Sequence, residues 1–336
     1  MKRIATVGEV LQRLTPPDHN KLEQATSLNV AYGGSEANIA IGLANFGHDV
    51  RLATVLPNNP LGTAALRSIR QYGIDTAPTL LSGDILGTYY LEVGHSIRSS
   101  SVVYNRKYSA IAQADETALN MDDILHNRTH LHLSGITLAL GEGIRNFAIQ
   151  LAKAAHERGI IISFDFNYRA KLWTVEEAKP AFKAILPYIH IAFASMWDIE
   201  TFAEIEATNQ ASLENKRQSV FGQFLNVSNC QAVFGTIRHA KSTHENTLQA
   251  YCYTDSDCYL SKTYDFEIID RVGGGDAFVT GILNKLDLEA QNFEEALAYG
   301  IACGALKHTI NGDVLLTTDD EIQAIASSDQ LGGIKR

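Results

Sequence analysis

Between His130 and Asn167 the chain reads as a strand, a helix and a second strand, and that second strand reads as fully buried, with Ile160-Ile161-Ile162 placing apolar residues on both of its sides. His130-Leu131-His132-Leu133-Ser134-Gly135 leads into a helical stretch ending near Arg158, and Gly159-Ile160-Ile161-Ile162-Ser163-Phe164-Asp165-Phe166-Asn167 follows. A strand that is apolar on both sides has to be covered on both sides, which is the condition of a parallel sheet between helices. The same order recurs. Ile4-Ala5-Thr6-Val7 reads as a buried first strand, and Arg51 to Leu56, Pro57 to Gly62 and Thr63 to Tyr72 read as strand, loop and helix. Ile189 to Glu200 is a further strand entering a helix. With 336 residues, 45% of them hydrophobic and 20% charged, one large α/β domain with a smaller appendage is expected.

The appendage reads as a projecting sheet. Pro16 to Gln24 is polar and loop-like, Ser27 to Tyr32 alternates apolar with polar residues, and Gly87 to Tyr104 does the same around Tyr89, Leu91, Val93 and Val102. We therefore expect a single domain over 1–336, with lid strands inserted from about 9–33 and 87–110.

Lys and Arg number 28 against 38 Asp and Glu, a net charge of −10 that argues against nucleic acid or an anionic membrane as a partner. Cys230, Cys252, Cys258 and Cys303 lack zinc-ligand spacing, and His130 and His132 have no third ligand near them. Reduced thiols, a cytoplasmic location and no membrane span are the expectation.

Chemistry concentrates in Asp270-Arg271-Val272-Gly273-Gly274-Gly275-Asp276-Ala277-Phe278. Three glycines running into a helix leave unhindered N–H groups pointing one way, an anion hole at a helix N-terminus. Asp276, beside a site for negative oxygens, makes a poor ligand and a good base for a substrate hydroxyl. From spacing alone, a glycine-rich turn whose aspartate merely caps the helix fits equally well.

The run resembles the second signature of the ribokinase-type (PfkB) carbohydrate kinases, and its Asp-Arg-Val opening is similar to that of one subgroup, the 2-keto-3-deoxygluconate kinases. Gly274 stands where an alanine is frequent. Gly33-Gly34-Ser35-Glu36-Ala37-Asn38, leading to a helix closed by Gly47, resembles the first signature. Two signatures in order are more specific than either alone. The resemblance implies a ribokinase-like three-layer α/β/α sandwich with a small β-sheet lid, ATP and Mg2+ as cofactors, and Asp276 as catalytic base with the amides of Gly273, Gly274 and Gly275 as its anion hole. It also implies sugar contacts from Gly33, Gly34, Asn38, Tyr90, Tyr104, Arg106 and Asp313.

Asp165-Phe166-Asn167-Tyr168-Arg169 is similar to a run in which the subgroup's arginine holds the substrate acid, so Arg169 and Arg106 together point to a sugar acid, 2-keto-3-deoxygluconate. For the nucleotide the resemblance implies Ser195, Gly235, Thr236 and Arg238 in addition to Gly273 and Gly275, and for the metal Asp198, with Glu200 close by. A hexose kinase such as a fructokinase, a ketogluconate kinase, and an idle sugar-binding protein of the same fold stay open. A dinucleotide-dependent oxidoreductase does not fit, because the glycines come late and lack G-x-G-x-x-G spacing. Lid strands that pair between subunits would make the chain a homo-oligomer.

Overall fold

The computed structural model describes residues 1–207, 212–242 and 244–327. The chain opens on β1 (Arg3–Val7), then leaves for β2 (Leu11–Thr15) and β3 (Asn29–Gly33) before α1 (Ser35–Asn45) returns it to β4 (Asp49–Ala53). A short unit of β5 (Val55–Leu56), α2 (Pro60–Arg70) and β6 (Leu80–Leu81) precedes the hairpin of β7 (Thr88–Glu92) and β8 (Ser101–Asn105). Then come α3 (Met121–Leu125), β9 (His130–Ser134), α4 (Gly135–Ala139), α5 (Glu142–Glu157), β10 (Ile161–Asp165), α6 (Val175–Ile185), β11 (Ile191–Phe193) and α7 (Met196–Phe202). The rest is α8 (Leu213–Val227), β12 (Ala232–Ala240), β13 (Glu245–Tyr253), β14 (Cys258–Leu260), β15 (Tyr264–Glu267), α9 (Gly274–Lys285), α10 (Phe293–Lys307) and α11 (Asp319–Ser327).

The large sheet has the order β14-β13-β12-β11-β10-β9-β1-β4, with β15 paired to β13. From β4 to β12 every neighbour is parallel, and the remaining strands form an antiparallel edge. Helices cover both faces, as the two-sided apolar strands require. Phe147, Leu151, Phe182 and Phe221 pack on one side, and Ile39, Leu43, Ile282 and Ile301 on the other. No helix among the described residues is long and apolar enough to cross a membrane.

Small residues let α1, α9 and α10 approach closely. A Cβ at Gly42 would come within 2.7 Å of Thr280 Cγ2, and one at Gly281 within 2.7 Å of the Gly300 Cα. This approach carries the N-terminal turns of α1 and α9 to one point at the C-terminal edge of the parallel strands, where open sheets of this kind gather their ligand loops.

A second sheet, β3-β2-β7-β8, forms the lid. Its inner face buries Leu11, Tyr89 and Leu91, with Val102 and Val272 against them. Its outer face carries a cross-strand row, Val30, Leu14, Tyr90 and Val103, aligned by the pairings Leu14 to Val30, Leu14 to Tyr90 and Tyr90 to Val103. The expectation of Tyr90 over a sugar is corrected here. Strand side chains alternate, so with Tyr89 facing inward Tyr90 faces outward. Tyr89 lies opposite Tyr104, ring centroids 5.9 Å apart, on the inner face.

Candidate active site

Gly273 turns the chain into α9 with φ of +81°, and a Cβ there would fall 1.8 Å from the Asp313 carbonyl oxygen. Conformation and space both require glycine. The turn leaves the first N–H groups of α9 without intrahelical acceptors, at the positive end of the helix. Asp276, in that first turn, directs its carboxylate at α1. Ser35 Oγ donates to Oδ1 at 2.9 Å and Asn38 Nδ2 to Oδ2 at 2.7 Å. Asn38 Oδ1 accepts from the Gly34 N–H at 3.3 Å, and Asn167 Nδ2 donates to Ser35 Oγ at 3.2 Å. Burial pushes the Asp276 carboxyl up to about 6, against the pull of the Asn38 and Ser35 hydrogen bonds and the Arg169 charge. A carboxylate so poised is ionised at neutral pH yet basic enough to accept a proton.

Two more carboxylates act electrostatically on this neighbourhood. Asp165, at the end of β10, is raised to about 8 by burial and then by Asp276, while Arg169 opposes. Among the described residues it has no hydrogen-bond partner. Asp198 forms a capping box with Ser195, accepting from Ser195 N–H at 2.8 Å and Oγ at 2.6 Å through Oδ2. Burial raises its carboxyl, and the Ser195 bonds lower it. Glu200 is turned away, 3.1 Å from Lys216 Nζ, which leaves Asp198 and Asp165 as the carboxylates able to face a hydrated cation. Glu36, fully buried, accepts from Ser134 and Thr137 hydroxyls through Oε1, its Oε2 is unpartnered, and burial lifts it to about 7.

The two expected cations differ in burial and pairing. Arg169 is exposed and has no ion-pair partner among the described residues. Arg106 differs from the expectation of a free cation. Its guanidinium pairs with Glu9 and lies 4.3 Å over the Tyr104 ring, both charges buried on joining lid to β1.

Gly235, Thr236 and Arg238, expected at the nucleotide, lie within β12, and the loop expected from His239 begins only after Ala240. The strand runs on that far because the antiparallel partner β13 continues its ladder past Phe234, where β11 stops. Gly235 makes room for Tyr251, whose hydroxyl donates to the Ala194 carbonyl. Thr236 is exposed, and Arg238 reaches His308 Nε2 at 3.3 Å. His308 Nδ1 lies 2.6 Å from the Gly304 carbonyl and so carries the proton, leaving Nε2 to accept. Burial holds this imidazole down to about 4. The imidazole occupies the space where a Gly274 Cβ would point, at 2.3 Å. The region beside the loop is open: a cleft of about 540 Å³ runs between Arg271, Val272 and Ala240 and the lid residues Leu91 and Val102.

Asp313, expected to meet a substrate hydroxyl, has both oxygens engaged. Oδ1 accepts from Arg13 Nη1 at 2.5 Å and Oδ2 from the Tyr89 hydroxyl. Arg13 Nη2 also bonds Asp270 Oδ2 at 2.7 Å, and Asp270 caps the glycine loop by accepting from the Val272 and Gly312 N–H groups. Gly33 lies against this group, where a Cβ would meet Asp313 Oδ2 at 2.7 Å and Asn38 Oδ1 at 2.8 Å; a Cβ at Gly34 would meet the Glu9 carbonyl at 2.1 Å.

Sequence reasoning passed over Ser35, Asp165, Asn167, Glu9, Arg13 and Lys307 as site residues. The first three lie inside runs singled out for their neighbours, and proximity to Asn38 and Arg169 was a usable signal. Arg13 and Lys307 carry no local mark.

The pfkB family carbohydrate kinase model matches residues 1–225. A 2-dehydro-3-deoxygalactonokinase of Haloferax volcanii is 30% identical over 332 residues, covering 98% of each chain. Among solved structures, the 2-dehydro-3-deoxygluconokinase of Thermotoga maritima is 35% identical with a TM-score of 0.92, covering 98% of this chain and 100% of that one. A PfkB family carbohydrate kinase of Listeria grayi is 34% identical with a TM-score of 0.90, covering 97% and 100%.

Proposed function

The chain belongs to the pfkB family of carbohydrate kinases, with the ribokinase-like fold and an alcohol group as phosphoryl acceptor, and we propose that it phosphorylates 2-keto-3-deoxygluconate on its 6-hydroxyl. The observation that carries this reading is the carboxylate of Asp276 beside the open N-terminus of α9, with Arg169, which has no ion-pair partner among the described residues, near enough to lower its pKa. Asp276 takes the proton of the acceptor hydroxyl, held ready by Ser35 and Asn38. The α9 amides after Gly273 stabilise the charge that grows on the transferred phosphoryl oxygens. Arg169 holds the substrate carboxylate bidentately, and Tyr89 and Tyr104 line the lid face above the sugar. Arg106 acts through Glu9 rather than as a free cation.

ATP is the phosphoryl donor, and magnesium, when bound with it, would supply neutralisation of the phosphate oxygens. Among the described residues no group of three or more His, Cys, Asp or Glu could hold a metal ion. The residues present fit a magnesium ion that arrives with phosphates and water and needs one or two carboxylates, Asp198 and Asp165. Arg238, now on His308 Nε2, is the side chain assigned to the phosphate chain. The four free cysteines fit a reducing cytoplasm.

The outer lid row, in which Val30 is 55% and Val103 53% exposed, supports a homo-oligomer built lid to lid.

The test is ATP turnover against 2-keto-3-deoxygluconate, 2-keto-3-deoxygalactonate, 2-ketogluconate, fructose and ribose at fixed magnesium. Preference for a ketodeoxy acid is expected, and the two epimers are compared directly. Preference for a neutral sugar overturns the carboxylate assignment while keeping the kinase. Asp276→Asn is expected to lose turnover and keep sugar binding, whereas undiminished turnover removes the base assignment.

A further inference from the structure

Arg13 is the described lid side chain that bonds both loops flanking the anion hole. It lies on the inner face of β2, is 5% exposed, and spans Asp270 on one loop and Asp313 on the other. Both carboxylates are buried, at 5% and 4% exposure. Asp270 fixes the Val272 amide, and the Asp313 main chain abuts Gly273, so the geometry of the anion hole is set by these two loops. Lys307 is buried nearby and feels both charges, but its Nζ donates to the Ile310 carbonyl at 3.1 Å. One lysine cannot balance two buried carboxylates.

We propose that Arg13 is a positioning residue that couples lid closure to competence of the anion hole. With the lid seated, the guanidinium fork neutralises both carboxylates and fixes both loops. With the lid raised, two negative charges stand behind the hole and oppose the phosphoryl oxygens, which disfavours transfer to water before a sugar is enclosed. Tyr89 also bonds Asp313 from the lid but brings no charge. It seats the lid without neutralising anything.

The inference rests on the kinase reading, and its test separates the two. Turnover, KM for the sugar acid and thermal melting are measured for wild type, Arg13→Met, Arg13→Lys and Tyr89→Phe. At saturating sugar and ATP, Arg13→Met is expected to lose kcat by about 10–100-fold, less than the roughly 100–1000-fold of removing an anion-hole donor outright, because the amides stay in place and only their support is lost. Arg13→Lys is expected to recover part of that loss, and Tyr89→Phe to raise KM with kcat retained. Arg13→Met with full kcat and a raised KM alone would reduce the residue to a lid anchor and overturn the proposal, as would a Tyr89→Phe loss of kcat equal to that of Arg13→Met. If Arg13→Met does not fold, the comparison of Arg13→Lys with Tyr89→Phe decides in the same terms. Wild type silent on every sugar would overturn the kinase reading instead. Amide hydrogen exchange needs no sugar: faster exchange at Val272 and Gly312, whose N–H groups Asp270 holds, is expected in the Arg13 variants, and unchanged exchange there refutes the coupling.

Discussion

Removing the Asn38 side chain should move the pH dependence of turnover rather than scale it. Asn38 Nδ2 donates at 2.7 Å to the ionised base, and burial has already raised that carboxyl to about 6. A hydrogen bond to a charged group contributes about 1.5–3 kcal/mol, which at about 1.4 kcal/mol per unit is a rise of about one to two pKa units when it is lost. The base must be deprotonated to act, so activity rises with pH through its pKa and the acid limb moves upward. With a limb at about 6, roughly nine tenths of wild type is ionised at pH 7; with a limb at about 7.5, roughly a quarter is. Asn38→Ala should therefore lose about fourfold in kcat at pH 7 from this cause and regain it by about pH 9. The assay is kcat at saturating ATP and sugar acid from pH 5 to 9 at constant ionic strength. A loss of the same size at every pH would refute the reasoning, since it would assign Asn38 to ordering the Gly34 turn alone.

Arg169→Ala should raise KM for the sugar acid by about 10–100-fold, the value of a charge-assisted bond, and leave any neutral sugar unaffected; equal losses on both would sink the carboxylate role. Val103→Asp, at the β8 end of the outer lid row, should shift sedimentation toward the monomer with circular dichroism unchanged, and an unaltered coefficient would remove that face as the interface. Glu36, with its folded pKa near 7 against an ordinary 4.5, contributes stability present below 4.5 and lost as pH rises through 7. Over that window the loss is about 3 kcal/mol. Glu36→Gln keeps the Oε1 acceptor and abolishes the titration, so its melting temperature should gain on wild type between pH 5 and pH 8, and parallel melting curves would contradict the burial argument.

Consecutive apolar residues such as Ile160-Ile161-Ile162, which fill both sides of a strand, announced the parallel sheet, because that setting covers both sides. The two glycine-marked helix starts drew attention to Asp276 and Asn38, since Gly33-Gly34 and Gly273 to Gly275 are local backbone requirements written where they act, but spacing alone left a helix-capping aspartate equally open and the resemblance pointed to a base. What depended on register was harder. Tyr89 and Tyr90 are the same residue type side by side, and only the pairing of Arg13 with Tyr89 decides which faces inward. What depended on distant partners was not readable at all. Arg106 looks like a free cation until Glu9 is found opposite it, Asp313 looks available until Arg13 and Tyr89 occupy it, and nothing around Ala232–Ala240 tells that β13 will carry the strand beyond its parallel neighbour.

The hydrogen bonds from Ser35 and Asn38 to Asp276 span 241 and 238 positions of sequence. A ribosome adding about 5–20 residues per second makes the donors roughly 12–50 s before it makes the acceptor. Throughout that interval α1 has no α9 to pack on, and the half of the core around Ile39 and Leu43 stays open. The unfinished chain therefore carries neither a base nor an anion hole and cannot consume ATP, but it exposes an apolar helix for as long as synthesis lasts. The same long reach that keeps fragments inert makes the nascent chain a client for whatever shields exposed apolar helices in the cell.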